Sequence, residues 1–283
     1  MVIKRIIPRL DIKGSHLVKG IHLEGLRVLG NPEVFAKFYY QQGADELIYM
    51  DVVASLYGRN SLSEIITRTA KQIFIPLTVG GGIRTIDDIN NVLRSGADKV
   101  CINTAAINNP DFIKQASRKF GSSTIVVAIE AIRQSEGNYL CYTDNGREHT
   151  GIDAVTWAER IQELGAGELI ITSVDAEGTG TGFNLELINL IGKSLSIPVI
   201  AHGGAGNKNH VLQVMMESNC DAVALASILH YEAVSQTATL SKKENDIGNT
   251  DFLSSGRKNK SISETTLPEL KKYLTEHNIS IRI

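Results

Sequence analysis

Two stretches 122 residues apart constrain this chain more than any other feature. Ile75 to Gly82 reads IPLTVGGG and Ile197 to Gly204 reads IPVIAHGG, so that Pro76 falls on Pro198, Gly81 on Gly203 and Gly82 on Gly204. Each is a short apolar run rich in β-branched residues, entered after a proline and ended by glycines, which is the pattern of a buried parallel strand leading into a tight turn. Glycines there let the backbone approach a ligand and present its N–H groups, an arrangement suited to phosphate. One Gly-Gly pair is ordinarily only a turn; its recurrence at one place in two halves of a chain says more. The echo extends to GADELI (Gly43–Ile48) over GAGELI (Gly165–Ile170), to Ala97–Val100 over Cys220–Val223, and to Pro8–Asp11 over Val127–Glu130, the last pair both ending in a carboxylate. A period this long is a duplicated half-domain rather than a solenoid of short repeats. The expected halves are residues 1–122 and 123–283 of a single domain.

Eight short apolar runs are separated by helix-length segments. They are Arg5–Leu10, Glu46–Asp51, Leu77–Gly80, Lys99–Asn103, Ile125–Glu130, Glu168–Ser173, Val199–His202 and Val223–Ser227. Ile86–Leu93 before Gly96, and Ala154–Leu164 before Gly165, carry helical periodicity closed by a glycine. Eight alternations of strand and helix predict a parallel (β/α)8 TIM barrel. A doubly wound sheet is the alternative, but it does not readily explain four-plus-four symmetry. After Ser227 the pattern changes: 237–265 is polar and charged and reads as a mobile loop or linker. Leu267, Leu270 and Leu274 then recur at helical spacing, with Thr266 as N-cap and Pro268 in the first turn, which predicts the last barrel helix displaced by an insertion.

Composition narrows the functional classes. With 42% hydrophobic and 21% charged residues the chain can build a large core, and a net charge of −2 gives no sign of general nucleic-acid affinity. No run approaches the ~18 apolar residues of a membrane span, and the first residues hold no signal-like apolar stretch. Cys101, Cys141 and Cys220 have neither zinc spacing nor an even count; Cys101 and Cys220 sit in or beside apolar runs as buried thiols, which fits a reducing cytoplasm. The scattered histidines form no metal pattern, and no cofactor is implied.

A TIM barrel works at the C-terminal ends of its strands. The first and fifth runs end in Asp11 and Glu130. The second ends in Asp51, and the sixth in Thr172 and Ser173, with Glu177 just beyond. The third and seventh end in Gly81-Gly82 and Gly203-Gly204, the fourth in Asn103-Thr104 and the eighth in Ala226-Ser227. Two glycine-and-hydroxyl sets on opposite sides would hold a long ligand with a phosphate at each end. Asp11 and Glu130 would then face its middle as acid and base. A lone strand-end carboxylate ordinarily caps a loop or pairs with a lysine; two at matched positions point to chemistry. The long Lys13–Asn31 loop has the length of a lid, and Lys19 on it is within reach of a phosphate unless it is simply a solvated lysine. At the opposite end, Arg5, Glu46, Lys99 and Glu168 start four of the runs. Charges there ordinarily serve stability, although alternating signs would also suit a gate.

Taken together, KRIIPRLDIKG, LTVGGGIR, GADKVCINTAA, IVVAIEA, TSVDAEGTGTG and AHGGAG resemble the cyclase (HisF) family of imidazole glycerol phosphate synthase subunits, over nearly the whole chain apart from the polar insertion. The resemblance implies a TIM barrel in a heterodimer with a glutaminase (HisH-type) subunit. The glutaminase would release ammonia, the four-charge ring would gate it, and the barrel would deliver it to a ribonucleotide substrate carrying two phosphates. Two strand-end carboxylates would do the acid–base work, the first being Asp11. Four positions depart from the family pattern. Glu130 stands for the second catalytic aspartate, Glu177 for an aspartate, His202 for a small serine and Arg9 for a small residue. This altered mouth over an intact ring is similar to HisF-like paralogues of surface-polysaccharide synthesis, which are thought to feed ammonia to a sugar-amidating protein.

Overall fold

The computed structural model describes residues 3–54, 62–237 and 259–282. Along the chain the strands are β1 (Arg5–Lys13), β2 (His16–Ile21), β3 (Glu24–Gly30), β4 (Leu47–Asp51), β5 (Leu77–Gly80), β6 (Lys99–Ile102), β7 (Ile125–Arg133), β8 (Tyr139–Thr143), β9 (Glu148–Asp153), β10 (Glu168–Ser173), β11 (Val199–His202) and β12 (Ala222–Leu225). Eight of them pair in parallel in the order β1-β4-β5-β6-β7-β10-β11-β12, and β12 pairs with β1 to close the sheet. Helices cover its outside: α1 (Pro32–Gln41), α2 (Ser63–Ala70), α3 (Ile86–Arg94), α4 (Thr104–Asn108), α5 (Asp111–Phe120), α6 (Ala154–Glu163), α7 (Leu185–Ser194), α8 (Lys208–Glu217), α9 (Ser227–Thr237) and α10 (Leu267–Glu276). This is the (β/α)8 barrel, with each predicted run inside or overlapping one barrel strand.

Strand alternation sorts the side chains. Ile6, Leu10 and Ile12 of β1 face outward into the core between sheet and helices, where Leu47, Leu77, Val100 and Leu169 join them. The inward residues stack in tiers along the barrel axis. The floor tier is charged. Arg5 bridges Glu46 (2.6 Å) and Glu168 (2.5 Å), and Lys99 bridges the same two carboxylates, each at 3.0 Å. The signs alternate round a closed four-membered ring. Above it Ile7, Ile48, Cys101, Val126, Ala128, Ile170, Ile200, Ala222 and Ala224 form an apolar layer inside the barrel. Arg9 and Asp11 follow on β1, at the mouth.

The repeated glycines are obligatory. Gly81 and Gly204 have φ of 101° and 106°, in the left-handed region that favours glycine. A Cβ on Gly81 would lie 2.3 Å from the Asp51 carbonyl oxygen, and one on Gly204 1.9 Å from that of Gly182.

Two expectations change. Lys13–Asn31 is no irregular loop. It is the hairpin β2–β3, which continues β1 antiparallel. The hairpin β8–β9 continues β7 in the same way, so the internal repeat extends above the barrel. The alternation signal in 16–30 is hidden by Lys19, Gly20 and His22, and both strands of the pair are half solvated. The second change lies in the polar insertion. Residues 238–258 fall outside the described residues, but 259–265 are packed. Asn259 Nδ2 donates to the carbonyls of Gly178 (3.2 Å) and Thr179 (3.1 Å), Ser263 N–H to Gly206 (2.7 Å) and Thr265 N–H to Ile228 (3.0 Å). Ile262 and Thr265 are buried. The following helix starts as expected, Thr266 and Glu269 forming a reciprocal capping box.

Candidate active site

β1 and β7 stand on opposite sides of the barrel, with three strands between them in either direction. Asp11 and Glu130 occupy the places where each barrel strand passes into its hairpin: Asp11 pairs with Val18 of β2, and Glu130 with Tyr142 of β8. Both are nearly sealed from solvent, at 3% and 7% exposure.

Their surroundings differ. Arg9 Nε donates to Asp11 Oδ1 at 2.9 Å. Arg9 Nη1 reaches His202 Nδ1 at 3.1 Å and Thr172 Oγ1 at 3.4 Å. Burial, reinforced by the positive charges of Arg9 and Lys19, holds His202 well below its ordinary pKa, so the ring is neutral and accepts from Arg9. Glu130 has no such cation at hydrogen-bond distance among the described residues; its Oε2 accepts from the Gly146 N–H at 2.8 Å. Burial pushes its carboxyl up to about 7; Arg9 and the Gly146 N–H oppose the shift, and Asp11 and Asp144 add to it.

The two glycine sites also differ. A cavity of about 280 Å³ runs from Gly81, Gly82, Asn103 and Thr104 inward to Arg9 and Glu130, with Asp51 on its wall. Asn103 lines it with a buried Oδ1 that has no hydrogen-bond partner among the described residues, while its Nδ2 donates to the Tyr142 carbonyl. On the other side Gly203, Gly204, Ala226 and Ser227 are buried and line no part of this cavity. The Gly204 carbonyl accepts the Gly182 N–H at 2.8 Å, and Asn259–Ser263 lie over the adjoining Gly178–Gly180 and Gly206. Ser173 Oγ is buried there without a hydrogen-bond partner among the described residues.

Lys19 does not point at an open phosphate site here. It is buried, ion-paired with Glu177 and donating to the Gly20 carbonyl. Glu177 also accepts the Leu23 N–H at 2.8 Å, and Asn145 Nδ2 donates to the Leu23 carbonyl at 2.8 Å. The two hairpin tips therefore meet over the mouth, pinned by Glu177. Thr172 is engaged with Arg9 and His202, and Asp51 Oδ1 accepts the Val53 N–H. Among the described residues no cluster of metal-ligating side chains occurs, and no helix is long and apolar enough to cross a membrane.

The model of the histidine biosynthesis protein family matches residues 5–235. The imidazole glycerol phosphate synthase subunit HisF of Legionella pneumophila is 60% identical over 202 residues, which cover 71% of this chain and 95% of that one. The HisF subunit of Bacillus cereus strain Q1 is 48% identical over 231 residues, 82% of this chain and 92% of its own. This chain belongs to the HisF family.

The four residues that the resemblance set apart lie together. Arg9 touches His202 directly, and its charge acts on Glu130 and Glu177 as well as on Asp11. Residues 9, 130, 177 and 202 thus converge at the barrel mouth, although the sequence scatters them over four strands and loops. Three further participants were not foreseen. Gly146 and Asp144 surround Glu130 from a hairpin that no motif announced. His230, fully buried on α9, donates from Nε2 to the Arg9 carbonyl at 2.9 Å and is tied to the Tyr39 hydroxyl at 2.6 Å. A histidine three residues after the predicted Ser227 was the available signal, but its partners are 221 and 191 residues away.

Proposed function

We propose that this chain is the cyclase subunit of an imidazole glycerol phosphate synthase. It uses ammonia to convert a phosphoribulosyl aminoimidazole ribonucleotide into imidazole glycerol phosphate and aminoimidazole carboxamide ribonucleotide, a step of histidine biosynthesis in the cytoplasm. The observation that carries this reading is the pair Asp11 and Glu130, set at matched ends of opposed strands between two glycine-rich sites in a chain of the HisF family.

Addition of ammonia to a carbonyl carbon needs an acceptor for a proton of nitrogen and a donor for the carbonyl oxygen. Two buried carboxyls on opposite walls supply both without water. The glycine amides with Asn103 and Thr104 on one side, and Ser173, Gly203, Gly204 and Ser227 on the other, take the terminal phosphates. The second set opens when the pinned hairpin tips separate. Ammonia comes from a HisH-type glutaminase bound at the floor and passes the Arg5–Glu46–Lys99–Glu168 ring. The ring's basic side chains are about one-fifth exposed, so they are the members free to swing.

The test is turnover of the purified chain with excess ammonium and the bisphosphate substrate, without a partner. Imidazole glycerol phosphate is the expected product. A folded chain that makes none is instead an ammonia-conducting subunit for another acceptor, such as a polysaccharide sugar. The altered mouth over an intact ring favours that second reading: Arg9, Glu130, Glu177 and His202 interact at the mouth while Arg5, Glu46, Lys99 and Glu168 close the floor. Replacing Lys99 tests the ring: with the glutaminase present, glutamine-dependent turnover falls more than ammonia-dependent turnover. Equal losses would remove the gate from the account.

A further inference from the structure

We propose that Arg9 is a positioning residue that divides the acid–base work, holding Asp11 as the anionic proton acceptor and leaving proton donation to Glu130. The inference rests on the cyclase reading above and deepens it.

The geometry is that of a fixed charge. The Arg9 and Asp11 side chains are 4% and 3% exposed. Of the hydrogen-bond partners of this guanidinium, Asp11 alone carries charge, since Thr172 and the neutral His202 are the others. Three strands, β1, β10 and β11, therefore hold the fork, and His230 holds the Arg9 backbone from α9. Nε holds the carboxylate at Oδ1, and Nη1 ties the same guanidinium to β10 and β11, so the donor is fixed in place.

Glu130 stands in a different field. Arg9 and Asp11 face it from β1, Cys101 from β6, and Asp144 and the Gly146 N–H from the β8–β9 turn. Asp11 is faced by Arg9 on its own strand, by Glu130 across the barrel and by His230 from α9, while Glu177 acts on Arg9, and Lys19 on both His202 and His230. One carboxyl has a contacting cation and the other, among the described residues, has none, which is the kind of split that separates an acid from a base. Burial pushes the Glu130 carboxyl up to about 7, so a large fraction carries a proton at neutral pH.

The step balances. The ammonia nitrogen bonds to the carbonyl carbon and the π pair moves to oxygen, which takes the Glu130 proton. The surplus proton on nitrogen passes to Asp11. One carboxylic acid and one carboxylate are present before and after.

The experiment is ammonia-dependent turnover across pH for the unaltered chain and for Arg9→Ala, Arg9→Gln and Arg9→Lys, with circular dichroism confirming the fold of each. The unaltered chain should lose kcat above about pH 7 as Glu130 gives up its proton. Without Arg9, kcat should fall about 100-fold with little change in KM, the scale of a catalytic group set ~1 Å out of place. The alkaline limb should also move up in pH, because the Arg9 charge opposes the rise of the Glu130 pKa. Arg9→Lys should recover part of kcat and restore the alkaline limb. A merely structural role would lower thermal stability and leave the limbs in place. Pure rescaling of the profile in all folded variants, or Arg9→Gln as active as the unaltered chain, overturns the proposal and leaves the cyclase reading intact. No turnover by the unaltered chain overturns both.

Discussion

The two half-barrels share a backbone plan and differ in what covers it. Each half supplies a strand ending in a carboxylate, a hairpin that continues it, and a glycine turn of left-handed residues. Over the first glycine turn the structure leaves a cavity that reaches Arg9 and Glu130. Over the second, Gly203 and Gly204 are buried, the Gly204 carbonyl accepts the Gly182 N–H, and Asn259 Nδ2 and the Ser263 N–H donate to carbonyls of the adjoining loops. The repeat thus keeps a glycine turn in both halves, while the connections between the elements decide what covers it. The carboxylates diverge in the same manner, Asp11 contacting an arginine and Glu130 accepting a backbone N–H.

The strongest way to break this contrast is at its charged centre. Asp11→Asn should abolish ammonia-dependent turnover, by about a thousandfold or more on the scale of lost acid–base groups. It should also destabilise the chain by about 3 kcal/mol, because Arg9 is left buried without its counter-ion. Urea denaturation read beside the assay checks both; undiminished turnover removes Asp11 from the mechanism.

Glu130 carries a pH signature of its own. Its folded pKa of about 7 lies above its ordinary value of 4.5, so the folded chain binds the proton more tightly. The stabilisation is complete below about pH 4.5 and fades as pH rises through 7. It amounts to about 3 kcal/mol over that window. Glu130→Gln should flatten this part of the stability curve, and an unchanged slope would show that Glu130 is not the group titrating there.

Inorganic phosphate sharpens the comparison of the glycine turns. Amide shifts of Gly82 and Thr104 should saturate at roughly one-tenth the phosphate concentration needed for Gly204 and Ser227, about 1.4 kcal/mol in favour of the open half. Equal titrations would show that the cover costs nothing to lift. The smallest effect concerns that cover. Asn259→Ala removes two hydrogen bonds to the 178–179 backbone and should cost about 1 kcal/mol in stability. It should also bring the two phosphate titrations closer together.

The floor ring was legible because Arg5, Glu46, Lys99 and Glu168 each begin a run, and strand starts share one end of a barrel. Arg9 was legible only as an oddity beside Asp11. Its contact with His202 joins residues 193 apart, which no local pattern encodes. The hairpins were missed because half-solvated strands interrupted by glycine and lysine carry little alternation. The packing of 259–265 was missed because a polar segment can be held by backbone hydrogen bonds that composition does not show.

By itself the sequence determined the barrel, its twofold repeat, the two carboxylates and the glycine turns. Hydrophobic period, strand-end position and the need for left-handed backbone are local properties that survive in a linear string. Only the tertiary structure decided which glycine turn stays open, that Lys19 pairs with Glu177, and that one arginine distinguishes two matched carboxyls. These depend on burial and on charges brought together from distant segments, and in a low-dielectric interior the nearest partner outweighs the residue type.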